Sequence, residues 1–168
     1  MRLLECRFAI DDLDSFVATI GGIGDRHGVT VQAFDARYVA DRRHLERATE
    51  LADRAIERSE NIARDRAVEI LLYAAGRRQI DQALEMGVRV GDIRAVVLVD
   101  GDTDEDEESA LEAIEALDAC VEREATLEPE DTETLCGFFH ITDSERAATD
   151  APLSALVRER VALLEVEK

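Results

Sequence analysis

The run Ile93-Arg-Ala-Val-Val-Leu-Val99, closed on either side by Gly91 and Gly101, constrains this chain more than any other segment. Its β-branched residues disfavour a helix, and a run this short and apolar fits a strand buried in a sheet. A strand needs partners, and the sequence offers three. Arg2 to Ile10 reads as one. Val29 to Phe34 reads as a second, with Val29, Val31 and Ala33 alternating toward one buried face. Val121 to Ala125 alternates weakly and consists of poor strand formers.

Helical periodicity fills the space between these strands. Asp11 or Asp12 is placed to cap a helix carrying Leu13, Phe16, Val17 and Ile20, which Gly21, Gly22 and Gly24 are expected to end. Asp41 heads a second helix with Leu45, Ala48, Ala52, Ala55 and Ile56 on one stripe. A third runs from about Asn61 to Ala75, apolar nearly all round at its C-terminal end, with Gly76 where a left-handed cap belongs. A short fourth follows Arg77 and Arg78, with Ile80, Ala83 and Leu84 expected inward and Gly87 as terminator. Asp102 to Glu108 reads as a solvated loop entering a helix with Ala110, Ile114 and Leu117 inward. Further helices are predicted at about 131–139, 143–148 and 154–166. The order β-α-β-α-α-α-β-α-β-α predicts an α/β, mixed α+β fold: a small central β-sheet packed by several helices, as a single layered domain over residues 1–168.

Charge narrows the functional classes. Twenty basic residues against 39 acidic ones give a net charge of −19, and every basic residue except Lys168 is arginine. An acidic surface over 46% apolar residues is globular, and it self-repels unless salt screens it. The expected setting is a high-salt cytoplasm. The excess opposes non-specific binding of nucleic acid or anionic membrane, so any such binding needs a local patch. No apolar run approaches a membrane span, and the start, Met1 to Arg7, breaks its apolar residues with charges, unlike a signal peptide.

Signatures of catalysis are missing from the sequence. It contains no Gly-x-Ser-x-Gly elbow, Walker loop, dinucleotide fingerprint or His-Glu-x-x-His. The Gly21-Gly22-x-Gly24 cluster lacks the lysine of a phosphate loop and reads as a turn. His27, His44 and His140 have no metal-like spacing and read as surface or capping residues. Cys6, Cys120 and Cys136 form no Cys-x-x-Cys pair, which indicates neither a disulfide framework nor a zinc site. No cofactor is expected.

The arginines are more informative because they are unevenly placed. Asp102 to Glu133 holds fifteen acids against Arg123 alone, whereas Arg37 to Arg78 holds ten arginines against eight acids. Arg43, Arg47, Arg54 and Arg58 share one helical strip, but Glu46, Glu50, Asp53 and Glu57 line the next and can neutralise them. Arg77 and Arg78 lie between one helix end and the next helix start, a reasonable anion site beside unpaired backbone N–H groups.

Around that element the chain resembles a known family. Ala67-Val-Glu-Ile-Leu-Leu-Tyr-Ala-Ala-Gly-Arg-Arg-Gln-Ile80, Asp35-Ala-Arg-Tyr-Val-Ala40 with His44-Leu45, and Val157-Arg-Glu-Arg-Val-Ala-Leu-Leu164 are similar to the small kinase-binding subunit of the KEOPS complex, the TPRKB-type proteins. The acidity adds a haloarchaeal-like character. The resemblance implies a non-enzymatic subunit of the machinery that makes tRNA N6-threonylcarbamoyladenosine. It implies docking on the atypical kinase/ATPase subunit, an indirect link to the transferase subunit, and binding of the tRNA 3′ CCA end. On that basis Asn61, Arg64, Arg77, Arg78, Gln79 and Ile80 are the candidates for the tRNA end, with arginines on phosphates and Ile80 supporting a base. Leu156, Arg160 and Leu163, on the outward face of the last helix, are the candidates for kinase docking. Two other readings stay open: an adaptor without tRNA contact, and a free-standing small enzyme.

Overall fold

A computed structural model describes residues 1–167, so the last residue of the expected 1–168 range lies outside the described residues. In chain order the elements are β1 (Arg2–Ile10), α1 (Leu13–His27), β2 (Thr30–Asp35), α2 (Arg42–Glu57), α3 (Arg66–Ala75), α4 (Ile80–Ala83), β3 (Gly91–Asp100), α5 (Asp104–Glu115), β4 (Cys120–Arg123), α6 (Thr132–Phe139), α7 (Asp143–Ala147) and α8 (Leu153–Glu167). Single 3-10 turns cover Ala36–Tyr38 and Leu84–Met86. The fold is mixed α+β, and the chain divides into two compact units.

The first unit, Met1–Ala36 with Gly87–Glu128, holds the sheet. All neighbours are antiparallel in the order β2-β3-β1-β4. Register pairs Leu4 with Val97 and Phe8 with Ile93, which gathers alternate residues of β1 and β3 on one face. Phe16, Ile20 and Ile23 of α1 and Ala110, Leu111 and Ile114 of α5 join that face to form a core. On β3 the opposite set, Val96 and Leu98, is buried as well. A strand buried on both sides reads as an unbroken apolar run, which is why Ile93–Val99 stood out.

Two details of this unit differ from expectation. Helix α1 passes through Gly21, Gly22 and Gly24 and stops at His27, where Gly28 takes φ 66° and its N–H donates to the Gly24 carbonyl. Burial of Ile20 and Ile23 outweighs the roughly 1 kcal/mol that each helical glycine costs. The acidic run from Asp104 is the first turn of α5 rather than loop, capped by the Thr103 hydroxyl. Its member Glu107 is buried, accepting from the Gly101 N–H (3.0 Å) and facing the Met1 ammonium at 3.0 Å.

The second unit comprises Arg37–Met86 and the chain from Pro129 on, and its regular elements among the described residues are all helices. Asp41 caps α2 by accepting from the His44 N–H at 2.9 Å. Helices α2 and α3 run antiparallel: His44 near the start of α2 bonds the Ala74 carbonyl near the end of α3, and Asp53 meets Arg66. Helix α3 starts at Arg66 under an Asp65 cap, so residues 61–65 are loop instead of helix. The reason is Glu69, fully buried, whose carboxylate accepts from the N–H groups of Ile62 and Ala63 at 2.8–3.2 Å. Those bonds hold the loop and replace helical ones. Helix α8 packs on α2 and α3 with Leu156, Val157, Val161 and Leu164 buried.

Candidate functional site

Helix α3 ends in a Schellman turn. Gly76 takes φ 61°, its N–H donates to the Tyr73 carbonyl, and the Arg77 N–H reaches back to that of Leu72. A Cβ at Gly76 would lie 3.1 Å from the Arg160 carbonyl, a tight contact to which α8 would have to yield by a few tenths of an ångström. This turn aims Arg77 at the end of α6. Its guanidinium stacks on Phe138, 4.2 Å from the ring centroid, and donates to the Phe138 and Ala75 carbonyls. Burial pushes its pKa below the ordinary value, with Glu85 acting in the opposite direction. Arg77 is therefore half-buried and committed to carbonyls at a helix C-terminus, where a cation is favoured.

Arg78 faces solvent beside it, without an ion-pair partner among the described residues. Helix α4 is a single turn, and its N-cap Gln79 makes no capping bond, accepting instead from the Gln82 side chain at 3.1 Å. Ile80 and Leu84, expected inward, are 46% and 57% exposed, while Ala83 alone of the three is buried. Leu84 lies outside α4, in the 3-10 turn Leu84–Met86, so the α-helical stripe that would place it beside Ile80 and Ala83 is broken.

The fold adds residues that sequence reasoning passed over. Tyr38 meets Phe138 edge to face, 5.2 Å between centroids, and Arg37 lies over the Tyr38 ring at 5.5 Å. A row of two rings between two guanidinium groups, Arg37–Tyr38–Phe138–Arg77, thus runs across the end of α3 from three distant stretches of chain. The Asp35-to-Ala40 motif was its only sequence trace. Asn61 and Arg64, expected nearby, precede the other end of α3, with the ten residues of that helix, about 15 Å of its axis, in between. There the Asn61 amide donates to the Ala63 carbonyl (2.8 Å), and Arg64 is exposed and unpaired among the described residues.

The α2 arginines are largely neutralised. Arg47 meets Glu50 at 3.1 Å on its own helix, while Arg54 and Arg58 turn to Glu165 of α8, at 3.5 and 3.8 Å. His44 is no surface residue. It is fully buried, its Nδ1 accepting from the Ala40 N–H (3.1 Å) and its Nε2 donating to the Ala74 carbonyl (2.8 Å). Burial holds its pKa down at about 4.

On α8 the three expected docking residues part company. Leu156 is 5% exposed and belongs to the interior, because α8 turns that side toward α2 and α3; Leu163 is 45% exposed. Arg160 donates to the Phe139 and His140 carbonyls at 3.0 and 3.1 Å and grips both carboxylate oxygens of Glu145. That pair pulls the Glu145 pKa below its ordinary value. Among the described residues no group of three or more His, Cys, Asp or Glu is placed to hold a metal, and no helix is long and apolar enough to cross a membrane.

Comparison with curated proteins gives no match. A family model does match, and it spans residues 19–165, taking in the stack, the Schellman turn and most of α8. With all but the first eighteen and last three residues covered, the chain belongs to the family of kinase binding protein CGI-121.

Proposed function

We propose that this chain is a non-catalytic kinase-binding subunit of the KEOPS tRNA-modifying machinery. It docks on the atypical kinase/ATPase subunit, reaches the transferase subunit only indirectly, and holds the 3′ CCA end of tRNA. The observation that carries the reading is the family match over residues 19–165.

For the tRNA end, support comes from half-buried Tyr38 with Arg37 over its ring, and from exposed Arg78, the residue after Arg77. A single-stranded end is held by stacking and phosphate contacts, and an aromatic ring with adjacent guanidinium groups offers both. Arg77 acts by fixing Phe138 behind Tyr38, leaving the phosphate to Arg78. Asn61 and Arg64 meet another part of the RNA or none. For the kinase, exposed Leu163 and Val166 give α8 an apolar edge at helical spacing, and Leu156 and Arg160 support it from within. The charge of −19 suits a cytoplasm of high salt and makes isolated tRNA affinity low.

The test is a band shift at high salt with intact tRNA and tRNA lacking CCA, for wild type, Tyr38→Ala and Arg78→Glu. Wild type should prefer intact tRNA and both variants should lose the preference; equal binding throughout leaves the adaptor reading. Copurification of the kinase with wild type and its loss with Leu163→Glu checks the other half. Failure of wild type to retain the kinase sinks the kinase-binding reading.

A further inference from the structure

Cys6 and Cys120 are 114 positions apart, yet strand pairing makes them neighbours. Cys6 lies opposite Arg123 and Cys120 opposite Phe8, with a bulge between Arg7 and Phe8 that puts Val121 out of register. Cys6 is fully buried in the core on one face of the sheet, and half-buried Cys120 packs against that same core, one diagonal step away in this register. Cys136 is on α6 in the other unit. β4, which carries Cys120, is a four-residue edge strand with its last three residues exposed.

From this pairing we propose that Cys6 and Cys120 are a dithiol modification site, closing to a reversible disulfide that fastens β4 to β1 when the chain meets a small-molecule disulfide. The order of events follows from exposure. Cys120 is the thiol that solvent reaches, while Cys6 is fully buried, and burial raises the pKa of both. Cys120 attacks the reagent's S–S bond and expels one reagent thiolate, forming a mixed disulfide. Cys6 then gives up its proton to solvent, attacks the Cys120 sulfur and expels the second thiolate. Two protein S–H bonds and one reagent S–S bond break; one protein S–S bond and two reagent S–H bonds form. With both pKa values raised, closure is slow at neutral pH and accelerates toward alkaline pH.

The experiment treats the whole chain at high salt with oxidised glutathione, followed by acid quench, alkylation in denaturant and peptide mapping. A Cys6–Cys120 cross-link, reversed by dithiothreitol and leaving Cys136 outside it, is expected. Cys6→Ser should stall at a glutathione adduct on Cys120, and amide exchange over Cys120–Arg123 should slow at least tenfold in the oxidised wild type. A wild type that retains reduced Cys6 and Cys120, or stalls at the Cys120 adduct, overturns the proposal, as does cross-linking to Cys136. Unchanged exchange in a cross-linked chain overturns the fastening role.

Discussion

Acidification should weaken this protein through His44, by an amount its surroundings determine. The ring is buried and doubly bonded as the neutral Nε2–H tautomer, because the Ala40 N–H occupies Nδ1 and the Ala74 carbonyl requires a donor. A proton added to Nδ1 has nowhere to point. Asp41 favours that proton and Arg158 opposes it, but burial dominates, setting a folded pKa of about 4 against an ordinary 6.5. The folded pKa is depressed on a base, so the unfolded chain binds the proton first and stability falls as pH drops through the window from 6.5 to about 4. At about 1.4 kcal/mol per pH unit, the loss is about 2 kcal/mol at pH 5 and levels off near 3 kcal/mol below pH 4. Denaturant unfolding of wild type and His44→Gln, at fixed high salt and at about pH 7.5 and pH 5, isolates this effect. Glutamine supplies one acceptor and one donor without titrating, and the carboxylates contribute equally to both proteins. Wild type should lose about 2 kcal/mol more than the variant over that interval. Parallel losses would refute the assignment of a neutral, depressed His44.

Other perturbations separate scaffold from candidate contact. Arg77→Ala removes two carbonyl bonds and the stack on Phe138 and should cost about 1–3 kcal/mol in thermal or denaturant unfolding. Arg78→Ala should stay within about 0.5 kcal/mol, and an equal loss in both would contradict their different placements. Gly76→Ala forces a left-handed alanine whose Cβ meets the Arg160 carbonyl, a loss of about 1–2 kcal/mol that melting would register. Arg160→Ala should return the Glu145 carboxyl toward its ordinary pKa, readable by NMR titration. The contribution of the pair is present at neutral pH and lost as pH falls through the Glu145 range.

Element order was legible because each element carries a local cause: the buried run of β3, the Asp41 cap, the stripe on α2, the left-handed Gly76. Boundaries failed where a distant partner decided them. Glu69 draws the loop before α3 into its own bonds, so a helix expected from Asn61 begins at Arg66. The setting of Arg77 was decided in the same way at longer range. Arg77 was expected to face an anion, but Phe138 is 61 positions away and nothing near Arg77 announces it. Ile80 and Leu84 misled because a helical pattern implies one buried face, whereas α4 ends at Ala83 and Leu84 opens a 3-10 turn. The pairing of Arg54 and Arg58 was foreseen in kind, but their partner on α8 was not visible from α2 alone.

The end of α6 carries a further consequence. Its last carbonyls, from Phe138 to His140, are all taken by the guanidinium groups of Arg77 and Arg160, which arrive from two other helices. Each group bonds in several directions at once: Arg77 along two carbonyls and over a ring, Arg160 along two carbonyls and a carboxylate. A lysine ammonium has three donors on a single atom and no flat face, so it can satisfy only part of either set. At these positions the near absence of lysine is therefore a joinery requirement of the helical unit, independent of the solvent in which the protein lives.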